Sequence, residues 1–254
     1  MSKISEILTK LGQTERSGFG FGARAANLKI PVILVGALID RPADAKGLGT
    51  DLFILTSGSG GAAQKTPVDG SDLWGVSISG GSTKDIDAAV EAGADFIVVD
   101  GESAPGAAFR DDETGKGFVV GENVSEDRAK AIDAGPWDFL TLDASNMKLP
   151  LSVGAILDIQ EELAKYSSHI FLRMSEVPDK ANLELLRDIG ISAFIYDGKS
   201  ITKSDLKGLR ADIDKLEPKK QKSSGGAMLP RQGDFNAQEV DIDDHGHDDE
   251  EDWE

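Results

Sequence analysis

Short apolar runs alternate with amphipathic or polar segments along most of the chain. The clearest unit is residues 89–103, AVEAGADFIVVDGES, which reads as a helix end, a glycine stop, a buried strand and an Asp-Gly turn. The pattern recurs at 131–144 (AIDAGPWDFLTLDA) and 185–198 (LLRDIGISAFIYDG), with a fainter copy at 48–58 (LGTDLFILTSG). Because the apolar runs are continuous rather than alternating, they are typical of strands covered on both faces.

The apolar runs predict eight strands, most of them separated by helices. The predicted strands are 31–38, 52–56, 74–78, 96–99, 117–120, 139–142, 170–172 and 193–196. The predicted helices are 2–11, the stretch that follows Ser82, 126–134, 151–166, 180–188 and 203–216, with a brief helical connection at 42–49. Alternating strands and helices favour a parallel sheet, and eight such units favour a closed (β/α)8 TIM barrel over residues 30–216. A doubly wound open sheet is the alternative.

Two of these phrases, AGADFIVVDG and DIGISAFIYDGKSI, resemble half-barrel phrases of phosphate-binding TIM-barrel enzymes. The resemblance implies the same fold and a phosphate grip formed by Gly-Gly and Gly-Ser turns after strands seven and eight. Here strand seven ends in LRMSEV with Arg173, and strand eight ends in YDGKS with Lys199 and Ser200. Half of the grip is therefore missing, and Arg173 and Lys199 could supply the positive charge instead.

The recurring units end in chemically useful side chains, namely Thr56, Asp100, Asp143 and Asp197. Matching positions on alternate barrel strands share one layer, so we expect these four at the carboxyl end, where barrel active sites lie. Three converging carboxylates require a cation, a shared proton or a basic partner. Arg173, on the strand between two of the acids, is the expected partner, and Lys199 and Arg110 are further candidates.

These acids allow three interpretations. In the first they bind Mg²⁺ or Mn²⁺, with Glu122 joining Asp143; this Glu-then-Asp pair is similar to that of metal-dependent pyruvate aldolases of the same fold. In the second, one aspartate is the general acid or base of an aldolase-like or isomerase-like reaction. In the third they only form turns and helix caps. The predicted site comprises catalytic Asp100, Asp143, Asp197 and Arg173, substrate-binding Lys199, Ser200, Arg110 and Thr56, and metal-binding Asp143 and Glu122.

Several chemistries are disfavoured by the residues present. The chain has no cysteine, which excludes disulfides, thiolate metal sites and thiol nucleophiles. His169 opens predicted strand seven, at the end opposite the expected mouth, and the other two histidines lie near the carboxyl terminus, so no histidine serves a Ser-His-Asp triad. No lysine lies inside a predicted strand, which argues against a Schiff-base aldolase. The Gly-rich stretch 18–29 precedes a strand, so we interpret it as a flexible lead-in rather than a phosphate loop.

Charge is distributed unevenly along the 254 residues. The formal net charge is −18, and 11 acidic residues but no Lys or Arg lie in 232–254. The absence of a basic surface argues against nucleic-acid binding. No apolar segment is long enough to span a bilayer, so we expect a soluble cytoplasmic protein that does not bind membranes.

The composition predicts three segments: an N-terminal helix with its Gly-rich lead-in (1–29), the barrel (30–216), and a disordered linker with an acidic tail (217–254). The tail could engage a basic groove on a protein partner. The leading hypothesis is a lyase-like or isomerase-like TIM-barrel enzyme acting on a small anionic metabolite. The alternative is a non-catalytic barrel that binds or scaffolds a partner through its acidic tail.

Overall fold

The chain folds into a closed barrel of eight parallel strands, in which each strand pairs with the next and the eighth pairs with the first. The computed structural model describes residues 2–12, 31–56, 73–110 and 113–218, all within the compact unit Met1–Lys219. This topology confirms the predicted TIM barrel and excludes the open sheet. The Gly-rich stretch, the loop 57–72 and the acidic tail lie outside the described residues, so the three predicted segment boundaries stay predictions.

The strands and helices follow the predicted order. The strands are β1 Leu34–Ile39, β2 Leu52–Thr56, β3 Trp74–Ile78, β4 Phe96–Val99, β5 Gly115–Val119, β6 Phe139–Asp143, β7 His169–Arg173 and β8 Ile191–Asp197. The helices are α1 Lys3–Lys10, α2 Thr83–Glu91, α3 Glu126–Asp133, α4 Val153–Leu163, α5 Lys180–Ile189 and α6 Lys203–Ile213. The N-terminal helix is thus confirmed.

Local sequence explains where the helices begin and end. Helix α2 starts after Ser82, which forms a capping box with Asp85. Helices α3 to α6 each start after a residue whose side chain accepts a backbone N–H of the first turn: Ser125, Ser152, Asp179 and Thr202. Gly93 and Gly190 follow α2 and α5 with φ of 86° and 106°, a conformation that favours glycine. The predicted glycine stops therefore have a backbone cause.

Two connections use a single 3₁₀ turn where a full helix is usual. Pro42–Ala45 lies between β1 and β2, and Gly106–Phe109 lies between β4 and β5. The second connection is also where the prediction of strand five is wrong. β5 begins at Gly115 and contains the buried Lys116, so one lysine does lie inside a strand. Its Nζ donates to the Phe109 carbonyl at 3.4 Å, on the outer side of the barrel, away from the mouth.

The barrel interior is filled by large rings lying over glycines. A Cβ on Gly117 would overlap the Phe139 ring, and one on Gly75 would overlap the Phe96 ring. Phe139 stacks on Phe171 with ring centroids 4.1 Å apart and meets Phe96 edge-on at 5.7 Å. Small residues in one layer thus make room for large ones in the next, as tight interior packing requires.

Helix α1 closes the amino-terminal end of the barrel. Its Ile4 and Leu8 are 0% and 2% exposed and belong to the interior apolar cluster. Ile4 packs so closely over Gly115 that a Cβ there would overlap it. A second, larger apolar cluster lies between the outer face of the strands and the helices. The amino-terminal end is therefore plugged, which leaves the carboxyl end as the accessible mouth.

We expect Gly117→Ala to destabilise the protein by about 1–3 kcal/mol, because the added methyl group would overlap the Phe139 ring in a close-packed layer. Equilibrium urea unfolding would measure the change in free energy of unfolding. Gly208→Ala on α6 is the matched control. A Cβ at position 208 would have no neighbouring atom within 4 Å, so this change should stabilise by about 0.5–1 kcal/mol. Equal effects of the two substitutions would contradict the proposed packing.

Candidate active site at the carboxyl end of the barrel

The strand register places four of the predicted site residues in one layer: Thr56, Asp100, Asp143 and Asp197. In an eight-stranded barrel of this kind a layer climbs one residue per strand, so it rises two residues between alternate strands. Asp143 pairs with Arg173 of β7, which pairs with Ile195 of β8. Two residues beyond Ile195 is Asp197. The same step leads from Asp197 to Thr56, then to Asp100, and back to Asp143. We call these four residues the rim layer.

The rim-layer residues continue the inward-facing side of their strands. Residues two positions earlier on β2, β4 and β8, Ile54, Val98 and Ile195, are buried in the interior cluster. Successive side chains of a strand alternate between its two faces, so the rim positions continue the interior rows upward. The three aspartates are exposed. Distant acids are thereby brought to the mouth, although their chemical roles stay predictions.

Two of the three aspartates also form turns. Asp143 Oδ1 accepts the Ser145 N–H at 2.8 Å, and Asp197 Oδ1 accepts the Lys199 N–H at 2.9 Å. These are Asx turns, the structural role that the third interpretation expects. The Asp100 carboxylate accepts no hydrogen bond from the described part of the chain. One aspartate therefore has both oxygens available, and the other two each have one.

The Asp-Gly pairs require glycine for different reasons. Gly101 follows Asp100 with φ of 97°, a conformation that side chains rarely adopt. Gly198 follows Asp197 and approaches the Leu38 carbonyl oxygen so closely that a Cβ would lie 2.8 Å from it. The Gly198 N–H donates to that same carbonyl at 2.8 Å. Both turns hold the chain close to the strand ends and keep the rim accessible.

Arg173 lies at the end of β7, about one residue below the level of the rim layer, and its side chain is exposed. It forms no hydrogen bond and no ion pair with any residue in the described ranges. The expected pairing of Arg173 with the rim acids is therefore not observed there. Its guanidinium keeps all five N–H donors available for an incoming anion.

Asp40 is a fourth acid at the mouth that sequence reasoning missed. It follows β1, and its Oδ1 accepts the Thr56 hydroxyl at 2.8 Å, while its Oδ2 pairs with Lys199. The hydrogen bond from Lys199, and then that from Thr56, lowers the pKa of the exposed Asp40 carboxyl. Asp40 reciprocally raises the pKa of the Lys199 ammonium. Two predicted substrate-binding residues are thus already joined by an acid.

Two hydroxyl side chains face the interior below the rim. Ser77 of β3 and Thr141 of β6 are 8% and 5% exposed. The Thr141 Oγ1 has no hydrogen-bond partner in the described part of the protein. A buried unpaired hydroxyl costs about 1–3 kcal/mol, so Thr141 is a further candidate for ligand contact. Its position two residues before Asp143 would have identified it.

Glu122 lines two cavities at the carboxyl end of the barrel, both of which extend outward between the strands and the helices. A cavity of about 530 Å³ is lined by Glu122 and Asp100, and one of about 520 Å³ is lined by Glu122 and Asp143. The predicted metal pair thus borders a common space. Within the described ranges, no three His, Asp or Glu side chains form a group that could hold a metal ion. The predicted Mg²⁺ or Mn²⁺ site therefore has two protein carboxylates at most from this part of the chain.

The remaining predicted residues lie further from the centre of the mouth. Ser200 Oγ donates to the Asp197 carbonyl at 3.2 Å, so its hydroxyl serves the turn. Arg110 follows the 3₁₀ turn Gly106–Phe109, is exposed, and contacts none of the three cavities described. His169 begins β7 at the opposite end, where its Nδ1 lies 3.1 Å from the Ser192 hydroxyl and burial lowers its pKa.

No family model matches this chain, and no curated protein matches its sequence. Solved structures do share its fold. The 3-keto-L-gulonate-6-phosphate decarboxylase of Vibrio cholerae is 15% identical, with a TM-score of 0.53 over 73% of this chain and 99% of that one. A mutant tryptophan synthase α-subunit of Pyrococcus furiosus is 12% identical, with a TM-score of 0.53 over 73% and 98%.

A third similar structure is the thiamine phosphate pyrophosphorylase of Pyrococcus furiosus. It is 13% identical, with a TM-score of 0.50 over 72% of this chain and 96% of that one. At such identities the similarity shows the TIM-barrel fold alone. No helix among the described residues is both long and apolar enough to cross a membrane.

We expect the Asp40 carboxyl to titrate below the ordinary range of an aspartate, and Lys199→Met to raise its pKa toward that range. The reason is that the Lys199 hydrogen bond is the largest contribution that stabilises the ionised form. A carboxyl ¹³C NMR titration would measure both values. Lys207→Met, on the exposed face of α6, is the charge-matched control and should leave Asp40 unchanged. An identical Asp40 pKa in all three proteins would contradict the observed pairing.

Proposed function

We propose that this barrel is a lyase-like or isomerase-like enzyme that acts on a small anionic metabolite at its carboxyl-terminal mouth. The observation that carries the proposal is the register, which brings three strand-end aspartates into one layer, about one residue above the level of Arg173. An acid and a cation at one mouth can orient a substrate and move a proton. Helix α1 plugs the amino-terminal end, which favours entry of the substrate from the carboxyl end.

Arg173 is the proposed anchor for the anionic group. It is exposed and makes no hydrogen bond or ion pair in the described ranges, so binding an anion breaks no existing contact there. Its planar guanidinium matches the oxygens of a phosphate or carboxylate in two parallel hydrogen bonds. Lys199 is less available because Asp40 already pairs with it. Two of the similar enzymes have a phosphate compound in their names, which agrees with an anionic substrate.

Asp100 is the proposed proton-transfer residue. Its carboxylate accepts no hydrogen bond in the described ranges, whereas Asp143 and Asp197 each commit one oxygen to a turn. A substrate that covers the mouth displaces water from these acids, and desolvation favours the protonated form of a carboxyl. Asp100 could then give or take a proton while Arg173 holds the anion. Thr141, below them, would contact the part of the substrate that enters furthest.

A divalent cation would be held by Asp143 and Glu122, which border the same cavity. Mg²⁺ is commonly bound through one or two protein carboxylates, with waters and substrate oxygens completing its coordination. Two carboxylates therefore suffice if the substrate is itself anionic. Such an ion would polarise a substrate oxygen when bound.

We expect Arg173→Gln to abolish stabilisation by the anionic ligand while leaving the fold intact, because the exposed side chain makes no contact that folding needs. Thermal melting against a panel of sugar phosphates and their dephosphorylated forms would detect binding. A ligand at 100 times its Kd raises stability by about 2.7 kcal/mol. Turnover of any stabilising compound would then be followed directly.

The control for this experiment is Lys10→Gln, which removes an exposed positive charge from α1, the helix that closes the end of the barrel opposite the mouth. It should respond to ligands as the unaltered protein does. If no anionic compound stabilises the protein, while residues 232–254 capture a basic protein partner, the scaffold alternative replaces the enzyme.

We expect Mn²⁺ to raise the melting temperature, and both Asp143→Asn and Glu122→Gln to reduce that shift, because each removes one charged ligand. Binding of the paramagnetic ion can also be followed by electron paramagnetic resonance. Asp87→Asn, an exposed substitution on α2, is the matched control. An unchanged Mn²⁺ response in Asp143→Asn and Glu122→Gln would remove the metal from the proposal.

A further inference from the structure

A third cavity lies outside the barrel wall, next to the 3₁₀ turn that connects β4 and β5. This turn packs against α2, and a single helical turn leaves space between it and α3. The resulting cavity has a volume of about 230 Å³. We call it the aromatic cavity. Its characteristic lining residues are Glu102, Phe109, Phe118, Arg128, Ala131 and Trp137.

Three rings form one wall of the aromatic cavity. Trp137 lies 5.0 Å from Phe109 and 5.0 Å from Phe118, measured between ring centroids. Phe118 is buried, but Phe109 is 48% exposed, which is unusual for so large an apolar side chain beside a cavity. Apart from Glu102 and Arg128, the remaining lining residues are small or aliphatic. The wall therefore offers flat aromatic surface that is reachable from solvent.

The polar edge of the aromatic cavity is an ion pair. Arg128 donates from Nε to Glu102 Oε1 at 2.7 Å, and its second contact joins Nη2 to Glu102 Oε2 at 2.6 Å. The pair has no net charge. It nevertheless keeps three N–H donors on the guanidinium and free lone pairs on the carboxylate. Both side chains are about half exposed, so this edge can face a ligand directly.

We propose that the aromatic cavity binds a neutral, planar, single-ring ligand that carries a carboxamide-like edge. The ring would lie against Phe109 and Trp137, while the amide donates to Glu102 and accepts from Arg128. A cavity of about 150 Å³ accommodates benzene, so 230 Å³ accommodates one ring with a small substituent. An anionic substituent would meet the negative charge of Glu102, and a cationic one would meet Arg128.

This site goes beyond the proposed enzymatic function and does not depend on it. The aromatic cavity shares Gly101, Glu102, Phe118, Arg128 and Ile132 with the 530 Å³ cavity that Asp100 lines. A bound ring would therefore sit beside the acidic rim, where it could contribute to substrate selection. Its anchor residues are nevertheless separate from Arg173 and the rim layer, so each proposal can fail without the other.

The test uses 4-fluorobenzamide as the probe and ¹⁹F NMR line broadening as the readout. We expect saturable broadening with the full chain, loss of broadening in Ala131→Phe, which fills the cavity from α3, and weaker binding in Phe109→Ala. Ala181→Phe, the same substitution on the exposed face of α5, should bind like the unaltered protein. Thermal melting would verify that each variant folds. Absence of saturable binding to the unaltered protein, or unchanged binding in both cavity variants, would overturn the proposal.

A second measurement tests the polar edge. The unaltered protein should bind 4-fluorobenzoate several-fold more weakly than 4-fluorobenzamide, because the benzoate charge faces Glu102. In Glu102→Gln, the Arg128 charge is no longer balanced, so the order of affinities should reverse. An unchanged preference in Glu102→Gln would show that the ion pair does not select the ligand, and would overturn the assigned ligand class.

Discussion

Packing of rings over glycines inside the barrel is the constraint on which the rest of the structure depends. The Phe139 ring occupies the space that a side chain at position 117 would need, and Phe96 does the same at position 75. Such a fit exists only in one register, because shifting a strand by one residue turns its whole interior row outward. The stacked pair Phe139 and Phe171 joins neighbouring strands in that register. Interior packing thus determines which residue of every strand faces the mouth.

The arrangement of side chains at the mouth follows from that register. Residues from β2, β4, β6 and β8 are far apart in sequence, but a common climb of one residue per strand brings them to one level. Arg173 belongs to β7, between the strands that carry Asp143 and Asp197, and lies about one residue below the level of these aspartates. The acids thereby surround a cation without being paired to it in the described ranges. Turn formation by Asp143 and Asp197 does not oppose this arrangement, because each turn uses only one of two carboxylate oxygens.

Sequence reasoning succeeds where local signals are strong. The predicted bounds of β2, β3 and β4 match those of the structure. For β2 and β4 the reason is that a polar residue lies directly before and directly after each apolar run. The prediction starts β5 two residues too late, because glycine and lysine are uncommon in buried strands. Lys116 fits there because the outer side of the barrel buries the aliphatic part of its side chain. Asp40 is missed for a related reason. The predicted first strand ends at residue 38, so the alternation of inward-facing and outward-facing side chains is not extended to the Asp40 carboxylate. The ion pairs and cavities depend on packing between distant segments, which no local pattern encodes.

The two irregular connections illustrate how the fold and the candidate sites are related. Replacing a crossover helix by a 3₁₀ turn removes apolar side chains that would otherwise cover the barrel wall, so part of that wall stays open to solvent. Between β4 and β5 the consequence is an aromatic wall with a half-exposed Phe109 and a neutral ion pair at its edge. After each of the strands β5 to β8, a helix covers the corresponding part of the barrel wall. The opening that remains between β4 and β5 therefore places an aromatic surface beside the Asp100 carboxylate at the carboxyl end of the barrel.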